Sequence, residues 1–366
     1  MRNLAFLTLP TLFLSSICSA QDPVSLRTEP GFERFRIRVE TSNQSESESE
    51  ITMDGQPLGG GGGGRGGRGF GGGGPSSSTS ILEFEESSLD DITQRTYTTL
   101  QRTTERAGRD GEPQVRETES DLVGKELYLF EDDRGVMALD GGPDGEEMEL
   151  PSIPVSMDLS GLTPADELEV GDTFVLPSEF QTFLGTLTHE GAFRRPTQGG
   201  QEGGRGGRGG RGGRGQRGGR GGFGAFGGGG GGMGLLTRPH LSEAFEAELT
   251  EIDGKTAKVS IVVDNQHEGD PTEGLGGQGG GRLGEMDINE VSQLTIEGEM
   301  WIDLETHSMT RLVLTGRHES EINASGETPR GDMEMHRTST NEFEIKVTVS
   351  EVEVEDDEKK SDGGRD

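Results

Sequence analysis

The stretch Ser292–Glu305, "SQLTIEGEMWIDLE", decides the fold. Leu294, Ile296, Met300, Ile302 and Leu304 fall on one face of an extended chain, while Thr295, Glu297, Glu299, Asp303 and Glu305 fall on the other. Alternation over so long a run predicts a strand with one dry and one wet face. Downstream, "SMTRLVLTGRHES" follows after a short turn at Glu305 to Ser308. "NEFEIKVTVSEVEVE" then sets Phe343, Ile345, Val347 and Val349 on one side and shifts phase to Val352 and Val354, which predicts a bulge. Upstream, "AFEAELTEIDGKTAKVSIVVD" places Ala257, Val259, Ile261 and Val263 in one phase beyond Asp253-Gly254, a type I′ turn signal. The last third of the chain therefore reads as an antiparallel meander with one solvated face.

The rest of the chain reads similarly. "FRIRV" alternates Phe35, Ile37 and Val39 against arginines, and "KELYLFEDDRGVMALDG" is a hairpin about Asp132-Asp133-Arg134-Gly135. Ser88-Leu89-Asp90-Asp91 has the form of a capping box before "ITQRTYTTLQRTTERAG". Six threonines between Thr93 and Thr104 nevertheless favour a strand there. Thr163-Pro164-Ala165-Asp166, a capping threonine with proline at the first helical position, predicts a short helix near 163–170. The expected fold class is mainly β: an antiparallel meander or curved half-barrel sheet, with one or two short helices and disordered Gly/Arg-rich loop insertions.

Of 64 glycines, thirteen lie in Gly59–Gly74, twenty-three in Gly199–Gly234 and seven in Gly274–Gly284. Outside these tracts glycine usage is ordinary, and the tracts have too little apolar surface to offset the entropy of ordering them. The net charge is −33, and removal of a leader containing Arg2 makes it one unit more negative. An acidic body repels nucleic acid and anionic membranes at long range and attracts cations.

Residues 1–20 have the charged start, the apolar run from Leu4 to Ile17 and the small residues of a secretory signal peptide, with cleavage expected between Ala20 and Gln21. Cys18, the one cysteine, is removed with it, so no disulfide is expected. Bulky Ile17 argues against lipidation at Cys18. No later run is long and apolar enough for a membrane helix. The expected organisation is N-terminal strands over 21–58, a Gly/Arg/Ser-rich loop over 59–80 and a β region over 81–198. An arginine-glycine insertion over 199–234, C-terminal strands over 235–355 with the 274–284 loop inside them, and a charged tail over 356–366 complete it.

Motifs of chemistry are few. The sequence has no nucleophile elbow, phosphate loop or zinc-protease helix, and its six histidines are scattered. In "DMEMH", Asp332, Glu334 and His336 would share one strand face, an arrangement that suits a divalent cation and equally a solvated face. "DGGPDGEE" fails as a calcium loop, because Gly142 replaces an oxygen ligand and Pro151 replaces the bidentate glutamate. No catalytic residue, metal site or cofactor is assigned. Trp301, the single tryptophan, stands on the polar face of its strand. Partial cover by a neighbouring loop and a platform for a sugar or cation are the two readings of it.

Three quoted stretches carry a resemblance: "LVGKELYLFEDDRGVMALDG", "DLSGLTPADELEVGDTFVLP" and "GEMWIDLETHSMTRLVLTG". The pattern resembles a group of uncharacterised exported proteins of planctomycete-type bacteria, with Phe174 where those carry tryptophan. It covers Leu82 to Val354 outside the glycine tracts. More remotely, the long strands with "WIDLET" are similar to the half-barrel sheets of periplasmic lipoprotein carriers, which implies a concave face able to hold an acyl chain.

"GGRGGRGGRGGRGQRGGRGG" (203–222) offers Arg205, Arg208, Arg211, Arg214, Arg217 and Arg220 as candidate polyanion contacts, with Phe223 and Phe226 just downstream. Export and the acidic body argue against RNA as the natural partner and leave a spacer, self-contact or a surface polyanion. The sequence thus predicts an exported, periplasmic or extracellular, non-enzymatic binding or scaffold protein. A carrier of an apolar ligand and an arginine-glycine polyanion binder are the alternatives.

Overall fold

The computed structural model describes residues 23–29, 34–57, 75–89, 92–108, 112–132, 135–142, 145–150, 153–157, 159–187, 193, 245–269, 286–328 and 331–352. The first half supplies β1 (Val24–Ser25), β2 (Arg34–Met53), β3 (Gln56–Pro57), β4 (Ser76–Leu89), β5 (Ile92–Ala107) and β6 (Pro113–Glu119). Next come β7 (Glu126–Asp132), β8 (Gly135–Asp140), β9 (Glu146–Glu149), β10 (Glu167–Leu168), β11 (Thr173–Val175) and helix α1 (Ser178–Thr186). The last third supplies β12 (Glu246–Asp253), β13 (Thr256–Gly269), β14 (Met286–Asp303), β15 (Ser308–Thr328) and β16 (Gly331–Glu351).

These strands build one sheet in the order β11-β12-β13-β14-β15-β16-β2-β4-β5-β7-β8-β9, with β3 beside β2 and β6 beside β5. All pairings between strands of this sheet are antiparallel, and β11 and β9 do not meet, so the fold is mainly β and the sheet is open. The middle is a join between the chain's ends: Phe35 on β2 faces Glu351 on β16, and Met53 faces Met333.

One face of the sheet carries the core. Ile37, Val39, Leu82, Phe84, Tyr97, Leu100, Val259, Ile261, Leu294, Ile296, Leu314, Ile345 and Val347 are buried there. Against them pack Leu26, Leu150, Ile153, Met157, Leu159, Leu162, Phe180, Phe183 and Leu184. The chain from Val24 to Thr28 and from Leu150 to Leu187 thus covers the sheet's core face. Gly316 interrupts the apolar phase of β15, and the Phe343 ring from β16 lies over it; an added Cβ would meet that ring at 2.2 Å. Glycine leaves the room the ring fills, an aromatic covering a strand glycine.

Several expectations are corrected. The helix lies at Ser178–Thr186, not near 163–170. Its Phe180, Phe183 and Leu184 have the i, i+3, i+4 spacing that buries one stripe. Thr163 caps no helix: its hydroxyl donates to the Leu26 carbonyl and accepts from the Thr28 N–H at 3.2 Å. The Asp253-Gly254 hairpin forms, but Asp253 pairs with Thr256, so Gly254 and Lys255 are the central residues. Only Gly254 has positive φ, the II′ pattern. The I′ pattern falls instead at Asp54-Gly55, with φ of 50° and 71°. β16 keeps unbroken register with β2 through Glu351, so no bulge precedes Val352. Strand β4 already begins at Ser76, inside the stretch read as loop 59–80. The six-threonine stretch is strand β5, as its composition favoured.

Candidate functional site

The core end of the sheet is closed by a polar clasp. Glu86 on β4 and Arg95 on β5 are directly paired across the strands, 2 % and 0 % exposed. Arg95 donates from Nη2 and Nε to Glu86 Oε2 at 2.5 and 2.8 Å, from Nη1 to the Pro154 carbonyl at 3.0 Å and the Tyr97 hydroxyl at 3.3 Å, and from Nη2 to the Val155 carbonyl at 3.2 Å. Glu86 Oε1 accepts from Ser156 Oγ at 2.8 Å and the Met157 N–H at 2.9 Å. The guanidinium lies 4.7 Å from the Phe84 ring centre. Burial pushes the Tyr97 hydroxyl up, and Glu86 holds Arg95 firmly cationic against its own burial. Every strong donor and acceptor is used, so this cluster fixes the 153–157 segment on the sheet and is a structural element.

Beyond the covered core the strands run on, and their core face changes character. On β2 the phase of Ile37 and Val39 continues as Thr41, Asn43, Ser45, Ser47 and Ser49. Cross-strand pairing sets Thr41 beside Ser80, Asn43 beside Ser78 and Ser45 beside Ser76 on one side. On the other side stand Asn341, Ser339 and Arg337 of β16, next to His318, Ser320 and Ile322 of β15. Hydroxyl pairs bridge the strands at Thr41–Ser80 (2.6 Å), Ser45–Ser76 (2.8 Å) and Ser320–Ser339 (2.7 Å). Glu290, Ser292, His318 and Ser320 are buried in this band. Asn43 Oδ1 and Asn341 Oδ1 are buried and have no hydrogen-bond partner among the described residues. An orphaned buried acceptor costs its desolvation, so it marks a place where a donor belongs.

A second apolar cluster follows at the far end: Ile51, Ile322, Ala324, Met333 and Met335, with Ile288 packed against it. The core face thus runs from a filled apolar core, through a band of hydroxyls and amides, to a small Ile/Met cluster.

The opposite face is wet. Trp301 is half-buried on it, and two cations from the flanking strands lie over its ring. Arg311 on β15 lies 4.6 Å and Lys258 on β13 lies 5.6 Å from its ring centre. Asp332, Glu334 and His336 do share that face. Glu334 and His336 line a groove of about 630 Å³ with Glu50, Asp287, Asn289 and Asn323. Among the described residues no group of three or more acids and histidines is placed to hold a metal ion. His336 Nδ1 is instead 2.8 Å from Asn323 Oδ1 and 3.6 Å from Glu321 Oε1. In the β14–β15 turn, Asp303 Oδ1 accepts from the Glu305 and Thr306 N–H groups at 2.8 and 3.0 Å, which holds its carboxyl below the usual range. Ala20, Gln21 and the six arginines from Arg205 to Arg220 lie outside the described residues, as do Phe223 and Phe226.

Sequence reasoning missed the polar band, although the signal was present. "TSNQSESESE" keeps small polar residues in the phase that Ile37 and Val39 occupy, with acids in the other phase only from Glu46 onward. It also missed Glu86 and Arg95, two opposite charges in the apolar phases of adjacent strands.

No family model matches the sequence, and no curated protein matches it. Among solved structures the chain is similar to the outer membrane protein OprG from Pseudomonas aeruginosa, at 6% identity and a TM-score of 0.20, covering 88% of this chain and 97% of that one. It is also similar to the P. putida toluene transporter TodX, at 6% identity and a TM-score of 0.18, covering 89% of this chain and 92% of that one. A TM-score this low leaves the backbones unlike one another and carries nothing over to this chain. Among the described residues no helix is long and apolar enough to cross a membrane.

Proposed function

We propose that this chain is an exported, non-enzymatic binding protein whose ligand lies on the core face of the open sheet, along the band between the two apolar clusters. The observation that carries the reading is the pair of partnerless buried oxygens, Asn43 Oδ1 and Asn341 Oδ1, beside three bridged hydroxyl pairs. Export rests on the signal-like residues 1–20. A carrier of an apolar ligand is the second reading, favoured by the separate Ile51, Ile322 and Met335 cluster. Against it, the larger apolar area is already occupied by Leu26, Phe180, Phe183 and Leu184 of the same chain.

Native mass spectrometry after incubation with periplasmic extract tests the reading. The wild-type chain is expected to gain a discrete small-molecule adduct, and Ser47→Trp, which fills the band, is expected to lose it. No adduct on the wild-type chain, or one unchanged by Ser47→Trp, would count against this face. Under the carrier reading, uptake of a fluorescent fatty acid is expected to be abolished by Met335→Glu and to be insensitive to salt.

A further inference from the structure

We infer that the band binds a neutral polyhydroxylated chain, a carbohydrate; the inference rests on the reading that this face is the binding face. Three features of the lining select the chemistry. First, the orphaned atoms are acceptors, so the ligand must bring hydrogen-bond donors to Asn43 and Asn341. Second, Thr41, Ser45, Ser76, Ser80, Ser320 and Ser339 are hydroxyls, each able to donate and accept. A ligand of hydroxyl groups has the same double capacity and can join the lattice without leaving a group unpaired. Third, the band carries charged side chains of both signs. Glu290 and Arg337 both face Ile322 from its neighbouring strands, and Arg102 and Arg106 on β5 pair with Ser80 and Ser76, so a cation meets no matching field and the arginines add donors for hydroxyl oxygens. The chain's net charge of −33 disfavours an anionic ligand.

The lining also repeats. Thr41 with Ser80, Asn43 with Ser78 and Ser45 with Ser76 are successive rows. Same-face positions on a strand recur about every 6.8 Å. A repeating lattice of donors and acceptors fits a repeating ligand, which favours an oligosaccharide over a single sugar.

Isothermal titration of the full chain with cellohexaose, maltohexaose and chitohexaose tests this, with heparin as the charged comparator. At least one neutral oligosaccharide is expected to bind with little dependence on salt. Asn43→Leu and Asn341→Leu are each expected to weaken binding by about tenfold, the worth of one lost hydrogen bond in a dry site. The same substitutions remove an unpaired buried acceptor, so their melting temperatures are expected to hold or rise. A variant that merely misfolds would show the opposite. Wild-type chain that retains none of the three oligosaccharides, or that binds heparin alone with steep salt dependence, overturns the inference. So does unchanged binding in both asparagine variants. An extract adduct displaced by Ser47→Trp, with no oligosaccharide bound, would sink the carbohydrate and leave the face standing.

Discussion

Arg95 shows how much one residue can organise. Its guanidinium joins two strands through Glu86 and then holds the Pro154 and Val155 carbonyls, so the covering segment is fixed by one side chain. Arg95→Met is expected to cost about 3–5 kcal/mol, because it leaves the Glu86 carboxylate buried without its counter-charge. Arg95→Lys should lose nearly as much, since one ammonium cannot reproduce a planar fork of donors. Arg36→Ala serves as the contrast: its ion pair with Glu85, 2.5 Å long but nearly half exposed on the arginine side, should contribute under about 1 kcal/mol. Urea unfolding of the three variants checks the ranking; equal small losses would mean that the Arg95 site is wet. The pair was legible only in part. Leu82, Phe84 and Glu86 share a phase, as do Arg95 and Tyr97, so each charge stood at a core position in the sequence. That the two charges face one another depends on the β4–β5 register, which residue types do not reveal.

The strands were the legible elements because alternation is local. Ser292–Glu305 and the residues around Phe343 and Ile345 show their buried face without any knowledge of what covers it. The helix escaped the sequence reading for the opposite reason. Nine residues are too few to be helical alone, and α1 exists because Phe180 packs on Phe245, ring centres 5.5 Å apart, with Phe183 and Leu184 beside it. Thr163-Pro164 had better local signals, yet tertiary contacts with Leu26 and Thr28 prevailed. Glycine at 316 belongs to this scale too. Gly316→Ala adds a methyl where the Phe343 ring already lies, and overpacking of this kind costs about 1–3 kcal/mol. The melting temperature of Gly316→Ala should fall, and Phe343→Leu in the same chain should recover part of the loss. An unchanged melting temperature for Gly316→Ala would mean that β15 and β16 shift apart freely.

At the scale of the molecule, the open sheet was expected, but its self-covering was not. A half-barrel suggests an empty concavity; here residues from Val24 to Thr28 and from Leu150 to Leu187 occupy the apolar part of the core face. What those segments meet is set by tertiary packing, and only the folded chain reveals it. The join between β2 and β16 carries a consequence in time. Strand β16 lies between β15 and β2, so among the described residues the two halves of the sheet share no strand pairing until β16 has arrived. Pairings this far apart in sequence make for slow folding, since the loop must close before any contact rewards it. Under the export reading proposed above, slow closure of this join would keep a nascent chain unfolded long enough to be threaded through a narrow channel. A chain stopped at residue 330 should expose the β15 edge and the β2 edge at once, and edges of that length recruit other chains. Size-exclusion chromatography should find it aggregated, and a stable monomer with the full β signature would show that the two halves fold independently.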